Sequence, residues 1–393
     1  MNRLGVSVYP DLRPLEEIKD YLKLASTYGC TRVFSSMFNV DGTNEEVLSY
    51  FRDLIDAAHE VGIEVSLDVN PECLERLGAS PNDLSIFKDI NVDVLRMDIS
   101  FGLEKDMQLV QNPYGILIEF NASIIPVETL KEMINQGANP NNILVCHNFY
   151  PQRYTGMKWS KFKEVSKSLK ELGVRVGAFI SSNAKDTHGV WRAERGLCTV
   201  ERHRGQPIDL QLRELLQTNS IDDVLIGNAY ATEDEFKMIQ EVFTVIEPDE
   251  EKYPIVKMKK MYGASDDSFY PQRKIRVNLC DGISDIEKAI LFDFFPHSDV
   301  GDSSEWIWRS RMPRFLYQDK EIKPRSYNKK MLDRGSVVMV NDNYKHYAGE
   351  VQVVLFPIEN DGDRNLIGYL DQRELEMLEM IPEREIVVFL DNL

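Results

Sequence analysis

Over about the first 230 residues, apolar and polar positions alternate between two patterns. Short runs of nearly continuous apolar character occur at LGVSVYP (4–10), RVFSS (32–36), EVSLDVNP (64–71), VLRMD (94–98), GILIEFNA (115–122), ILVCHNFYP (143–151), RVGAFISS (175–182) and DVLIGN (223–228), and they predict eight buried strands. Between them apolar residues recur at helical spacing, as in LEEIKDYLKLASTYG, NEEVLSYFRDLIDAAHEVG, VETLKEMINQG and WSKFKEVSKSLKELG. These four segments end at Gly29, Gly62, Gly137 and Gly173, the residue type that most easily closes a helix in the left-handed conformation, and a strand follows each within a few residues.

Eight strand–helix units in roughly 240 residues match a closed (β/α)8 TIM barrel, whose strands are apolar because helices cover them outside and side chains fill the interior. An open doubly wound sheet would carry fewer strands and a glycine-rich turn after the first. Here that turn is YPDLRP, and neither GxGxxG nor a P-loop occurs. Past Glu247 the texture changes: EPDEEKYPIVKMKK is a proline- and charge-rich connection. RKIRVNL, SVVMV, EVQVVLFP, NLIGYL and EIVVFL then read as short strands, with DG turns at 281–282 and 361–362. The expected fold class is α/β, a TIM barrel over 1–247 followed by a small all-β domain of barrel type over 248–393.

A barrel gathers the C-terminal ends of its strands on one face, where residues distant in sequence become neighbours. Strand three ends with Asp68 and Asn70, strand four with Arg96 and Asp98, strand five with Glu119 and Asn121, strand six with His147 and Asn148, and strand seven with Ser181, Ser182 and Asn183. Alternation puts Ser66, Asp68 and Asn70 on one face, Arg96 with Asp98, and Glu119 with Asn121. Acids from three neighbouring strands that share a mouth cannot all ionise freely, so Asp68, Asp98 and Glu119 are candidate acid/base groups. With strands about 4.8 Å apart, Asp98 and Glu119 suit the roughly 5–5.5 Å of a retaining glycosidase, and Asp68 with Glu119 the wider inverting spacing; the sequence leaves both open. Asn70, Asn121, His147, Asn148 and Asn183 are candidates for orienting a ligand, and Tyr9 and Tyr150 for stacking on a sugar ring. The plainer alternatives are a helix cap for any one acid, an Arg96 that simply neutralises Asp98 or Asp68, and rim packing for the tyrosines.

Charge narrows the partners. With 64 Asp+Glu against 46 Lys+Arg the net charge is −18, which repels nucleic acid and anionic membrane. No signal-peptide core opens the chain and no apolar run approaches the roughly 18 residues of a membrane span, so a soluble cytoplasmic protein is expected. Cys30, Cys73, Cys146, Cys198 and Cys280 are scattered without a CxxC pair, as reduced thiols are. Cys146 and His147 should diverge, because neighbours on a strand point to opposite faces. No HxH or HExxH pattern calls for a metal, and no cofactor is expected. Against the acidic background, SSNAKDTHGVWRAERGLCTVERHRGQP (181–207) is long and gathers Arg192, Arg195, Arg202, His203 and Arg204, as an anionic substrate would require. Arg311, Arg314 and Arg325 offer a second supply of positive charge, although such arginines more often face solvent. Thr232 and Glu235 form a capping box after strand eight.

Together LGVSVYP, SLDVNP, LRMD, HNFYP, GLCTVERHR and the C-terminal MPR resemble a family of bacterial proteins, some called outer-surface proteins, that includes the 6-phospho-N-acetylmuramidases. The likeness spans essentially the whole chain. It implies a TIM barrel joined to a cyclophilin-like domain, and cytoplasmic hydrolysis of the β-1,4 bond between N-acetylmuramic acid 6-phosphate and N-acetylglucosamine in peptidoglycan recycling. The partner would be that phosphorylated amino-sugar disaccharide; a homo-oligomer is left open. On this reading Glu119 donates the proton, Asp98 or Asp68 is nucleophile or base, and Arg192, Arg195, Arg314 or Arg325 meets the anions. Two rivals stand: a phosphosugar isomerase or aldolase, which would want a lysine or metal at the mouth, and a non-catalytic carbohydrate-binding protein, whose mouth acids would be paired off.

Overall fold

All eight expected strands form: β1 Arg3–Ser7, β2 Cys30–Ser36, β3 Glu64–Val69, β4 Val94–Met97, β5 Leu117–Asn121, β6 Ile143–Cys146, β7 Arg175–Ile180 and β8 Asp223–Ile226. They pair in chain order, each neighbour parallel, and β8 closes on β1 as a barrel. This computed structural model describes residues 2–10, 13–37, 40–189 and 193–392, divided into the units Met1–Phe243 and Thr244–Leu393.

The four helical patterns become α1 Leu15–Thr27, α2 Asn44–Glu60, α6 Val127–Asn135 and α7 Trp159–Glu171. Short α3 Pro71–Leu77, α4 Ser85–Asp89 and α5 Leu103–Val110 precede α6, and α8 Ile208–Gln217 and α9 Glu233–Phe243 complete the ring. Thr43 and Glu46 cap α2 reciprocally, and Gly62 and Gly173 stop α2 and α7 at φ 76° and 78°. The expected box at α9 also forms: Glu235 N–H donates to Thr232 Oγ1 (3.2 Å) and Thr232 N–H to Glu235 (2.9 Å).

Strand alternation divides the barrel in two. Val6, Val33, Leu67, Leu95, Ile118 and Val145 point outward and are buried under Leu22, Phe51, Leu54, Phe162 and Phe236 of the helices. Each such fully buried side chain contributes about 1.5–3 kcal/mol. Inward, Tyr9, Phe34, Cys146, Phe179, Leu225 and Ala229 form an apolar cluster. The rest of the interior is charged: Arg32, Asp68, Arg96, Glu119 and Asp223 are all buried there. Gly5 helps to seat Arg32. A Cβ at Gly5 would lie 2.8 Å from the Arg32 carbonyl oxygen, so only glycine lets β1 approach β2 at that level.

The second unit is mostly sheet, as expected. β9 Gln272–Leu279, β10 Ile307–Ser310, β12 Ser336–Val340, β13 Val351–Val354, β15 Arg364–Tyr369 and β16 Ile386–Asp391 form one sheet in the order β10-β13-β12-β15-β9-β16, and β11 Met331–Leu332 pairs with β14 Ile358–Glu359. Its neighbours are antiparallel except β9 with β16. The unit also holds helices the alternation did not separate: α10 Pro254–Met261, the short α11 Asp285–Lys288 and α12 Pro313–Leu316, and α13 Gln372–Met380. β10 escaped the pattern because WIWRS is short and interrupted by an arginine. No helix among the described residues is long and apolar enough to cross a membrane.

Candidate active site

Register builds the site. Asp68 on β3 lies opposite Arg96 on β4, and Arg96 lies opposite Glu119 on β5, so three charged side chains enter the interior in one row. Asp98 follows β4 directly, two residues beyond Arg96 and on the same side. Arg96 is the hub. Its Nη1 donates to Asp68 Oδ1 (2.6 Å) and lies 3.6 Å from Asp98 Oδ1, its Nε is 3.8 Å from Glu119 Oε1, and its Nη2 donates to the Asn148 side-chain oxygen. Asn121 donates from Nδ2 to the Asp98 carbonyl (3.3 Å) and carboxylate (3.5 Å), and accepts from the Ser123 N–H. Four expected residues, Asp68, Asp98, Glu119 and Asn148, thus meet around one guanidinium, and a fifth, Asn121, holds Asp98.

The three acids are not equivalent. Glu119 is 1% exposed and is held from below by Arg32, which also donates to Ser66 Oγ (3.0 Å) and to Asp223 (2.6 Å). Arg175 reaches the same Asp223 oxygen at 3.0 Å. Asp98 stands at the opposite extreme, its side chain 36% exposed. Asp68 is intermediate: burial pushes its pKa up to about 6, against the pull of Arg96 and with a further push from Asp98 and Glu119. The network holds four carboxylates (Asp68, Asp98, Glu119, Asp223) and three guanidiniums (Arg32, Arg96, Arg175). One carboxyl is left without a full counter-charge, in line with the raised pKa of the buried Asp68.

Other expected residues lie elsewhere. His147 faces outward, not into the mouth: its Nε2 hydrogen-bonds Ser166 Oγ on α7 (3.0 Å), its ring packs on Phe162 at 4.9 Å, and burial pushes its pKa down to about 3. The reason is strand alternation, since Cys146 takes the inward position. Asn70 caps α3, accepting from the Cys73 N–H at 2.7 Å. Tyr9 is buried in the interior cluster and donates to the Gly227 carbonyl (2.5 Å). Tyr150 is half-buried, with its backbone tied to Cys198 and Arg204. Inside the second unit Arg314 pairs with Glu350 and Arg325 with Glu287, each at 2.7 Å, and Arg311 pairs with Asp302. Arg192, expected at an anion, lies outside the described residues.

Asn183 and Arg195 come together in a separate cavity of about 410 Å3, formed by the segments after β6 and β7. Arg204 clamps its wall: it donates to both oxygens of Glu201 at 2.8 Å and to the carbonyls of Tyr150, Arg195 and Gly196. Although burial opposes it, Arg204 and the N–H groups of Tyr154 and Gly156 hold Glu201 at about 2. Arg153 and Arg195 line this cavity and are exposed, and neither guanidinium has an ion-pair partner among the described residues. Arg202 and His203 are instead engaged with Glu214 of α8. Among the described residues no group of three or more His, Cys, Asp or Glu side chains is arranged to hold a metal ion.

Two family models decide the relationship. That for the 6-phospho-N-acetylmuramidase N-terminal part matches residues 4–241, and that for its C-terminal part matches residues 273–389. The chain belongs to the 6-phospho-N-acetylmuramidase family. The family's name is that of a glycosidase acting on phosphorylated muramic acid. Among solved structures, an uncharacterized B. cereus protein is similar over 99% of both chains at 29% identity and a TM-score of 0.82. A conserved Enterococcus faecalis protein of unknown function shares the fold over 99% of this chain and 96% of its own, at 23% identity and a TM-score of 0.69. No curated protein matches the sequence.

For this member of the 6-phospho-N-acetylmuramidase family, the sequence reading overlooked Arg32, Asp223 and Arg153. Arg32 carried a usable signal: it shares strand parity with Phe34 and Ser36, so an arginine had to enter the barrel or disrupt it. Asp223 opens its strand and gave none, because a first-position acid is ordinarily a solvated end.

Proposed function

We propose that this chain hydrolyses the β-1,4 bond between N-acetylmuramic acid 6-phosphate and N-acetylglucosamine, in cytoplasmic recycling of cell-wall fragments, with Asp68 as proton donor and Asp98 as the second carboxylate. The observation that carries this is a buried carboxyl held near pH 6 beside a half-exposed one, both contacting Arg96 Nη1. A glycosidase requires two carboxyl groups at the scissile bond, one of them able to deliver a proton. Asp68 replaces Glu119 as donor because Glu119 is the fixed partner of Arg32 below the mouth, whereas Asp68 is the acid whose proton affinity is raised into the working range. Glu119 then acts through Arg96, as a positioning group.

The contacts of Asp68 and Asp98 with one nitrogen keep their nearest oxygens at most about 6 Å apart, short of the roughly 6.5–9.5 Å of inverting enzymes. This supports a sequence in which Asp98 attacks the anomeric carbon while Asp68 protonates the departing oxygen, after which Asp68 deprotonates the water that releases the sugar. Asn121 orients Asp98, and Asn148 fixes Arg96. The unpaired Arg153 and Arg195 suit the phosphate or lactyl carboxylate.

Incubation with the phosphorylated disaccharide, read by mass, should give the two monosaccharides, and proton NMR of the first product should show retention at the anomeric centre. A rearranged sugar of unchanged mass would favour isomerase chemistry, and an unchanged disaccharide would leave only a binding role.

A further inference from the structure

The second unit contains a cavity of its own, about 380 Å3, that the barrel chemistry does not use. Adjacent sheet strands build its floor: Arg309 on β10 lies opposite Gln352 on β13, and Arg364 on β15 lies opposite Val340 on β12. Gln352 links them, accepting from Arg364 Nε (2.9 Å) and donating to Glu350 (3.3 Å). Tyr344 and Tyr347 form the wall, their ring centroids 5.2 Å apart at 31°. The guanidiniums of Arg309 and Arg314 lie 5.6 and 5.0 Å from the Tyr347 ring centre, which fixes that ring, while Tyr344 is 48% exposed.

Charge indicates the ligand. Glu350 is paired by Arg309 and Arg314, Asp302 by Arg311 and Asp361 by Arg364, all at 2.7 Å, and Asp363 is the fourth carboxylate. Of these guanidiniums Arg309 and Arg364 line the cavity while Arg311 and Arg314 pair its acids from outside the lining, so the four carboxylates are matched by four cations in all and no strong net charge selects an ion. The Asp363 carboxylate and the Tyr344 and Tyr347 hydroxyls have no hydrogen-bond partner among the described residues, so free acceptors and donors stand beside an aromatic face.

We propose that this cavity is a second binding site and takes a neutral saccharide, its ring face against Tyr344 and its hydroxyls on Asp363 and the tyrosine hydroxyls. Its volume is near the low end of the roughly 300–1,000 Å3 typical of ligand sites, which fits one or two sugar rings. The site is distinct in chemistry from the cavity with the unpaired Arg153 and Arg195, which suits an anion.

The test is calorimetric titration of the full chain, in the Asp68→Asn background so that nothing is turned over, with N-acetylglucosamine and its β-1,4-linked dimer. Saturable binding is expected, weakened at least about tenfold by Tyr344→Ala and, separately, by Asp363→Asn. Both positions are on the surface of the unit, and an unchanged thermal midpoint would confirm that each variant folds. Tyr344→Ala alone should leave turnover of the phosphorylated disaccharide unchanged. Absence of saturable saccharide binding would overturn the proposal, as would binding of the same strength and stoichiometry in both variants or a response to peptides only. Because the readout is binding of neutral sugars, an inactive barrel would leave it untouched.

Discussion

Replacing Arg96 by glutamine removes the one cation that opposes the rise in the Asp68 pKa. Burial pushes that carboxyl from 3.8 up to about 6, and Arg96, with Nη1 2.6 Å from Oδ1, is the principal force in the other direction. Breaking a buried pair costs about 3–5 kcal/mol, and one pKa unit corresponds to about 1.4 kcal/mol, so losing the guanidinium should raise Asp68 by at least about two units. A proton donor must hold its proton, so kcat/KM should fall about tenfold per pH unit above that value: above about pH 6 in the wild type and above about pH 8 in Arg96→Gln. Arg96→Lys keeps the charge and should keep the alkaline limb near its original position. The assay is kcat/KM for the phosphorylated disaccharide across pH, alongside a carboxyl-carbon NMR titration of Asp68. The same proton affects stability. Because the folded pKa lies above the unfolded 3.8, the contribution of Asp68 is fully favourable below about pH 4 and is lost as pH rises through about 6. An alkaline limb at the same pH in the wild type and Arg96→Gln would exclude Asp68 as the group that sets it.

Three further outcomes follow. Asp68→Asn should keep the fold and lower kcat by about two to four orders of magnitude, whereas Glu119→Gln should also destabilise the protein by about 3 kcal/mol in urea unfolding, because it leaves buried Arg32 short of an anion. A Glu119→Gln variant as stable as the wild type but inactive would return the proton-donor role to Glu119. Arg195→Ala and Arg153→Ala should each raise KM for the phosphorylated disaccharide about tenfold or more with little change in kcat, the amount expected from losing a charge-assisted hydrogen bond of about 1.5–3 kcal/mol; equal KM values would remove this cavity from substrate binding. His147→Leu should leave kcat/KM within about twofold and lower the thermal midpoint by a few degrees, since the ring is packed between β6 and α7; a collapse of turnover without loss of stability would place it at the substrate after all.

The roles of individual strand-end residues show how far the sequence reading reaches. It brings Asp68, Asp98, Glu119, Asn121 and Asn148 to one mouth, because parallel strands of a barrel end on one face and inward positions alternate with a period of two. The same rule applied to His147 gives an outward side chain once Cys146 is fixed inward, so the histidine could have been excluded from the sequence. Asn70 was harder. Parity alone would turn Asn70 inward with Asp68, but Asn70 is the N-cap of α3 and its side chain accepts from the Cys73 N–H instead.

The eightfold alternation and the polar rim follow from the order of residue types along the chain, and the acidic net charge from their numbers. Closure of the barrel is what sets the acids apart. Asp68 and Glu119 are alike in the sequence, as inward carboxylates on the strands either side of β4, yet Arg32 crosses the interior from β2 to hold Glu119, while Asp68 shares Arg96 with Asp98 and burial raises its pKa to about 6. Proton affinity depends on burial and on the charges within a few ångströms, and those distances exist only after closure brings β2, β5 and β8 around one cavity.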